Sequence, residues 1–176
     1  MKLTPLNIPE VIVIEPDVFE DERGFFFEAF NQKKINELIG RNIQFVQDNH
    51  SKSKQWVLRG LHYQEAPFEQ AKLIRVVSGE IFDVAVDIRP HSKSYGKWVS
   101  EILSAQNKKQ LWIPEGFAHG FCTLSEDTEV IYKTTGFYSV KHERCINFAD
   151  PFLDIKWPID NQKLLINPRD SYAPFI

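Results

Sequence analysis

The chain reads as an all-β sandwich or barrel, and three observations lead there. Short runs of β-branched and aromatic residues recur along most of its 176 residues, punctuated by Gly, Pro, Asn and Asp, as in folds built from many short strands joined by turns. One run, Phe82, Val84, Val86 and Ile88, alternates with Asp83 and Asp87, the two-residue period of a strand with one apolar face. Helical periodicity, by contrast, is clear in one early stretch.

Val11 to Ile14 is a first apolar run, closed by the turn signal Pro16-Asp17. Phe25 to Phe30 follows the polar Asp21-Glu22-Arg23-Gly24 as a second. Residues 31 to 40 predict a helix: Asn31 is placed to cap it, Ile35, Leu38 and Ile39 share a face, and Gly40 suits its end. Strands are then expected at Ile43 to Gln47, Trp56 to Tyr63 and Ala71 to Val77, with a Ser78-Gly79 turn before the Phe82 to Ile88 strand. Lys97 to Leu103, Lys109 to Ile113, Gly120 to Leu124 and Glu129 to Thr135 continue the series. From Asp150 the chain is richer in Pro and Asn, predicting loops and short helices packed on the barrel. At this length one domain over 1–176 is expected, with its barrel core over about 40–135, because two domains would be cramped.

Hydrophobic residues make up 43% and aromatics 13%, which excludes a largely disordered chain. A net charge of −3 gives no footprint for nucleic acid or an anionic membrane, so an anionic ligand has to be held by local Arg and Lys groups. Cys122 and Cys145 are too few for a disulfide framework or a zinc site. Lys2, Pro5 and Pro9 interrupt any apolar core near the N-terminus, so neither a signal peptide nor a membrane span is expected, and the cytoplasm is the simplest compartment.

Four polar groups are candidates for chemistry. Arg23 and Glu28 flank Gly24-Phe25-Phe26-Phe27, as a site or as a surface ion pair. Gln47, Asp48, Asn49 and His50 end a strand, as ligand contacts or as an Asx-rich turn. His62 lies in Arg59-Gly60-Leu61-His62-Tyr63-Gln64; strand alternation would place Leu58, Gly60 and His62 on one face and Arg59, Leu61 and Tyr63 on the other. A histidine on a rigid strand can act as a general base. Arg59 and Lys72 would add cations for a diphosphate and a developing oxyanion, although Lys72 could equally be a solvated edge lysine. Finally, Pro114-Glu115-Gly116 predicts a turn that holds His119 at a barrel mouth. The second ligand position of a His-x-His pair is Gln64, a poor partner for a transition metal, so no metal is expected.

Taken in order, these segments resemble the dTDP-4-dehydrorhamnose 3,5-epimerase family. The matching stretches are Asp21-Glu22-Arg23-Gly24-Phe25-Phe26, Phe45-Val46-Gln47-Asp48-Asn49-His50-Ser51 and Val57-Leu58-Arg59-Gly60-Leu61-His62. They continue through 79–89 and Trp112-Ile113-Pro114-Glu115-Gly116-Phe117-Ala118-His119-Gly120-Phe121. The resemblance implies a cupin-type jelly roll, a homodimer, and catalysis without metal or organic cofactor. It implies dTDP-4-dehydro-6-deoxy-D-glucose as substrate, epimerised at C3 and C5 to dTDP-4-dehydro-L-rhamnose. By position it makes His62 the base, Tyr132 the acid, Asp170 the carboxylate orienting His62, and Lys72 the stabiliser of the enolate. Arg23, Glu28, Gln47, Asn49, Arg59, His119, Glu143 and Arg169 match substrate contacts, and Tyr138 the aromatic stacked on thymine. The chain departs from the family in Gly136-Phe137-Tyr138, where Asn-Tyr-Tyr is usual, and at Val140, where Pro is common.

Three further readings remain open at this point, the third of them a metal-dependent cupin. A relative that epimerises C3 or C5 alone would share these residues. A non-catalytic sugar-nucleotide-binding cupin would have no need of base, orienting carboxylate and opposing phenol together.

Overall fold

A computed structural model describes residues 1–158 and 163–176. The strands are β1 (Lys2–Pro5), β2 (Ile12–Glu15), β3 (Phe19–Asp21), β4 (Gly24–Phe26), β5 (Gln47–Ser53), β6 (Leu58–Gln64) and β7 (Lys72–Ser78). They continue with β8 (Glu80–Asp87), β9 (Trp98–Ser104), β10 (Gln110–Ile113), β11 (Phe117–Thr123), β12 (Thr128–Thr134) and β13 (Glu143–Cys145). Two helices, α1 (Gln32–Ile39) and α2 (Pro168–Ser171), complete the described elements.

The strands form a six-stranded sheet ordered β1-β2-β10-β7-β12-β5, a five-stranded sheet ordered β13-β6-β11-β8-β9, and a separate β3-β4 ribbon. The two large sheets face each other as a jelly-roll barrel over one shared core. Ile74, Val76 and Val130 contribute from the first sheet, and Ile81, Ala85, Val99, Phe117 and Phe121 from the second. Helix α1 matches the sequence expectation: the Asn31 side chain accepts from the Lys34 amide, and Gly40 closes the helix at φ 71°.

The strand expectations hold within a few residues along β2 and from β6 to β12, and fail at three places. The expected strand at Ile43 to Gln47 is extended coil, and β5 starts where that run ends. Its sequence, Gln-Asp-Asn-His-Ser-Lys-Ser, lacks apolar alternation because its inner side lines a polar cavity. Of Phe25 to Phe30, only the start pairs, in β4. Strand β8 is buried on both sides rather than half-buried: Phe82, Val84 and Val86 pack under Ile146, Leu153 and Ile155 of the C-terminal segment. Asp83 and Asp87, read from the sequence as the polar alternate face, instead point into the protein and are 0% exposed.

Candidate active site

The space between the two sheets, toward the β5 end, is a cavity of about 390 Å³. From the six-stranded sheet β5 contributes Gln47, Asn49 and Ser51, β7 contributes Lys72, and β12 contributes Tyr132. From the five-stranded sheet come Arg59 and His62 of β6, His119 and Phe121 of β11, and Glu143 of β13. The wall is therefore rich in cationic, amide and hydroxyl groups with Phe121 and tyrosine rings among them, a combination suited to a phosphorylated sugar.

Arg59 and His62 both line this cavity, although strict alternation places them on opposite faces. The register of β6 against β11 shifts between His119 and Phe121, where the backbones meet at glycine. Gly60 has φ +127°, and a Cβ there would fall 2.5 Å from the Gly120 Cα. A glycine pair is thus required at this crossing, and the irregularity it permits puts two side chains three residues apart on one wall.

His62 Nε2 lies 2.8 Å from Asp170 Oδ1. Asp170 comes from α2, 108 residues away, and is 0% exposed. Its second oxygen accepts from the Gly60 amide at 3.2 Å, and its own amide donates to the capping Asn167 side chain at 2.8 Å. Burial pushes the Asp170 carboxyl up, but the His62 hydrogen bond and charge, with the Gly60 amide, outweigh it and hold it below the usual carboxylate range. An ionised carboxylate accepts only, so His62 carries its proton on Nε2 and leaves Nδ1 as the basic nitrogen.

Lys72 is 8% exposed, and its Nζ donates to the His62 backbone carbonyl at 3.2 Å. Burial lowers its pKa to about 8, with the charges of Asp83 and Glu143 opposing that fall. It is an interior ammonium, not a solvated edge lysine. Tyr132 faces His62 from the other sheet, and burial raises its phenol, so the hydroxyl stays protonated at neutral pH. His119 is buried within β11 rather than held in a turn at a barrel mouth, and its Nε2 lies 3.0 and 3.1 Å from the two oxygens of Asp83.

At the rim, the Glu143 carboxylate accepts from the Tyr138 hydroxyl and from Arg169 Nη2, each at 2.5 Å. The Tyr138 ring is half exposed there, and its amide donates to Gln47 Oε1 at 3.0 Å. Arg59 donates from Nε to Ser53 Oγ at 3.1 Å. Of the residues expected at the site, Asp170 and Arg169 do not line the cavity but bond to His62 and Glu143 that do, whereas Arg23 and Glu28 lie apart from it. Arg23 pairs with Asp21 in the β3-β4 ribbon, and Glu28 pairs with Lys34 at 2.7 Å, so these two are not partners of each other. Sequence reasoning passes over Asp83, Phe121 and Ser51 as site residues. The Ser51 Oγ is buried without a hydrogen-bond partner among the described residues, as expected of a wall atom that meets a ligand.

Among the described residues, one trio could hold a metal: His62, Cys145 and Asp170, whose ligand atoms lie within 4.8 Å of one another. It fits poorly. Burial, then the Asp170 charge, pushes the Cys145 thiol up to about 12, and a metal there would take the Nε2 that Asp170 orients.

The family model for dTDP-4-dehydrorhamnose 3,5-epimerase matches residues 5–176. A relative of that name from Shigella flexneri is 58% identical over 164 residues, covering 93% of this chain and 91% of its own. The crystal structure of a dTDP-6-deoxy-D-glucose-3,5-epimerase from Legionella pneumophila in complex with dTDP-4-keto-L-rhamnose is 48% identical, with a TM-score of 0.95 over 99% of this chain and 92% of that one. A 3'-monoepimerase from Streptomyces bikiniensis in complex with dTDP-quinovose is 32% identical, with a TM-score of 0.91 over 97% of this chain and 86% of that one.

Proposed function

This chain belongs to the dTDP-4-dehydrorhamnose 3,5-epimerase family, and from that premise we propose how its own residues carry out the reaction. It is an enzyme of dTDP-L-rhamnose biosynthesis, an epimerase that acts on dTDP-4-dehydro-6-deoxy-D-glucose at C3 and C5. The observation that carries the proposed mechanism is the placement of His62, held by Asp170, and of Tyr132 on opposite walls of one cavity that also holds a buried ammonium.

The hydrogens at C3 and C5 both flank the C4 ketone, and in a gluco-configured chair both are axial on the same ring face. One base can therefore serve both centres. His62 Nδ1 takes the proton, the electrons of the C–H bond form a double bond to C4, and the carbonyl π electrons move onto the C4 oxygen to give an enolate. Lys72 stabilises that oxygen, an interaction that strengthens as charge develops. Tyr132 then gives its phenolic proton to the opposite face of the carbon, which inverts it. Solvent takes the proton from His62 and returns one to Tyr132 before the second centre reacts.

Arg59 and Arg169 suit the diphosphate, because a planar guanidinium grips phosphate oxygens bidentately. Tyr138 offers the thymine a flat face at the rim, and Gln47, Asn49, His119 and Glu143 contact the rest of the substrate. No step calls on a metal or organic cofactor. Since turnover needs the ammonium form of Lys72, it should fall as pH rises through about 8. A pH–rate profile in a non-coordinating buffer reads that limb, and activity still rising beyond it would remove Lys72 from this role.

Arg23 and Glu28 reach substrate in a homodimer. The β3-β4 ribbon exposes Phe19 at 65%, Phe25 at 60% and Phe26 at 71%, too much apolar surface for a free hairpin, and it carries Arg23 out of its own cavity. The reading is that a second copy covers the ribbon and receives Arg23. Arg23→Ala should raise KM roughly tenfold or more, as expected for losing a hydrogen bond to a charged group. Hybrid dimers of Arg23→Ala with His62→Ala should regain one complete site with the unsubstituted KM, and hybrids that keep the raised KM of Arg23→Ala would place Arg23 within its own subunit. The two free thiols, Cys122 and Cys145, agree with a cytoplasmic location.

Proton NMR of the product tests the reaction itself. Inversion at both C3 and C5 is expected, and inversion at one carbon would make this a single-site epimerase.

A further inference from the structure

Asp83 is a fully buried carboxylate that the reaction just described does not use. It projects from β8 into the barrel, with both oxygens within hydrogen-bond reach of His119 Nε2. A carboxylate persists in such surroundings only with donors and positive charge to compensate it. His119 provides the donor, and of the cations in the same interior, Arg59 and Lys72, it is Lys72 whose charge Asp83 supports.

We propose that Asp83 is a positioning residue with two effects: it fixes His119 in the Nε2–H tautomer, leaving Nδ1 as an acceptor at the cavity wall, and it supplies the buried negative charge that keeps Lys72 an ammonium. This rests on the reading of Lys72 as the group that stabilises the enolate oxygen.

The tautomer follows from what each partner can donate. A carboxylate only accepts, so Nε2 carries the proton. Burial lowers the His119 pKa against the pull of Asp83, with Lys72 and His62 also lowering it, so the ring is neutral at neutral pH and Nδ1 keeps a lone pair. A lone pair accepts from a sugar hydroxyl and repels a ketone oxygen, whereas the Lys72 ammonium only donates and so stabilises the ketone oxygen as it gains charge. Together the two side chains read the ring's orientation, with a hydroxyl toward His119 and the C4 ketone toward Lys72.

The charge effect follows from which groups share the interior with Lys72. These are Arg59 and His62 from β6, Asp83 from β8, His119 from β11, Tyr132 from β12 and Glu143 from β13. Glu143 already pairs with Arg169 and Tyr138. Asp83 is thus the one carboxylate of this set not engaged with an arginine.

Asp83→Asn tests the proposal, with Asp87→Asn as its control. Asp87 is equally buried on the same strand, but Arg89, Ser92 and Ser94 hold it. For Asp83→Asn, kcat should fall about 10²-fold, on the scale of losing a transition-state stabiliser, with a smaller change in KM. The alkaline limb of its pH–rate profile should move from near pH 8 toward neutrality. Asp87→Asn should lose stability but keep the limb where the unsubstituted enzyme has it. If Asp83→Asn also keeps that limb, Asp83 is structural and the proposal falls. Should Asp83→Asn fail to fold, nitrogen-15 shifts of the His119 imidazole in the unsubstituted protein decide the matter without a variant. A neutral Nε2–H ring at pH 7 is expected, and an Nδ1–H ring or an imidazolium overturns the proposal. An unsubstituted protein that does not epimerise would contradict the reaction instead, and the imidazole spectrum would still report on Asp83.

Discussion

His62→Ala should lose about 10²- to 10⁴-fold in turnover, the usual worth of a general base, while still binding the dTDP part of the substrate. The separation follows from where the groups lie. His62 and Asp170 form a pair at the cavity wall, whereas the rim group of Tyr138, Glu143 and Arg169 is held by its own hydrogen bonds. The alanine also strands a buried carboxylate. Asp170 then keeps only the Gly60 amide and the weak Cys145 thiol as donors to its oxygens, so some loss of thermal stability should accompany the loss of rate.

Binding of dTDP to this variant, followed by calorimetry beside a stopped assay, checks both halves. Wild-type turnover in His62→Ala would mean that the base lies elsewhere.

Tyr132→Phe removes one proton and keeps the ring, so its packing against the barrel core should change little. His62 can still take the proton and return it to the same face. The variant should therefore continue to exchange hydrogen with solvent while losing about 10²-fold or more of the inverted product, the low end of what a positioned acid contributes. Exchange and inversion are read in one sample, which removes any error in protein concentration. Inversion at the unsubstituted rate would make Tyr132 a structural residue.

Much of this site is legible in the chain because strands announce themselves by alternation and the family's motifs lie on strands. His62, Lys72 and Tyr132 fall on the expected elements, and the structure brings them to one cavity. What fails is local. Alternation assigns Arg59 and His62 to opposite faces, because two-residue periodicity has no way to register a shift against a facing strand. Strand β5 lies several residues from its expected place because its inner side is polar for the ligand's sake, which removes the apolar signal that marks a strand. Asp83 looks solvated for a related reason: β8 has its apolar side under the C-terminal segment, so the polar side is the one facing inward. The meeting of His62 with Asp170 spans 108 residues and depends on tertiary packing alone.

The most direct test of the account is to incubate the enzyme with dTDP-4-dehydro-6-deoxy-D-glucose in deuterium oxide and locate the label by NMR. If His62 and Tyr132 exchange their protons with solvent between steps, deuterium should enter at both C3 and C5, and both centres should be inverted in the labelled product. Label at one carbon only, or inversion without label, would contradict it.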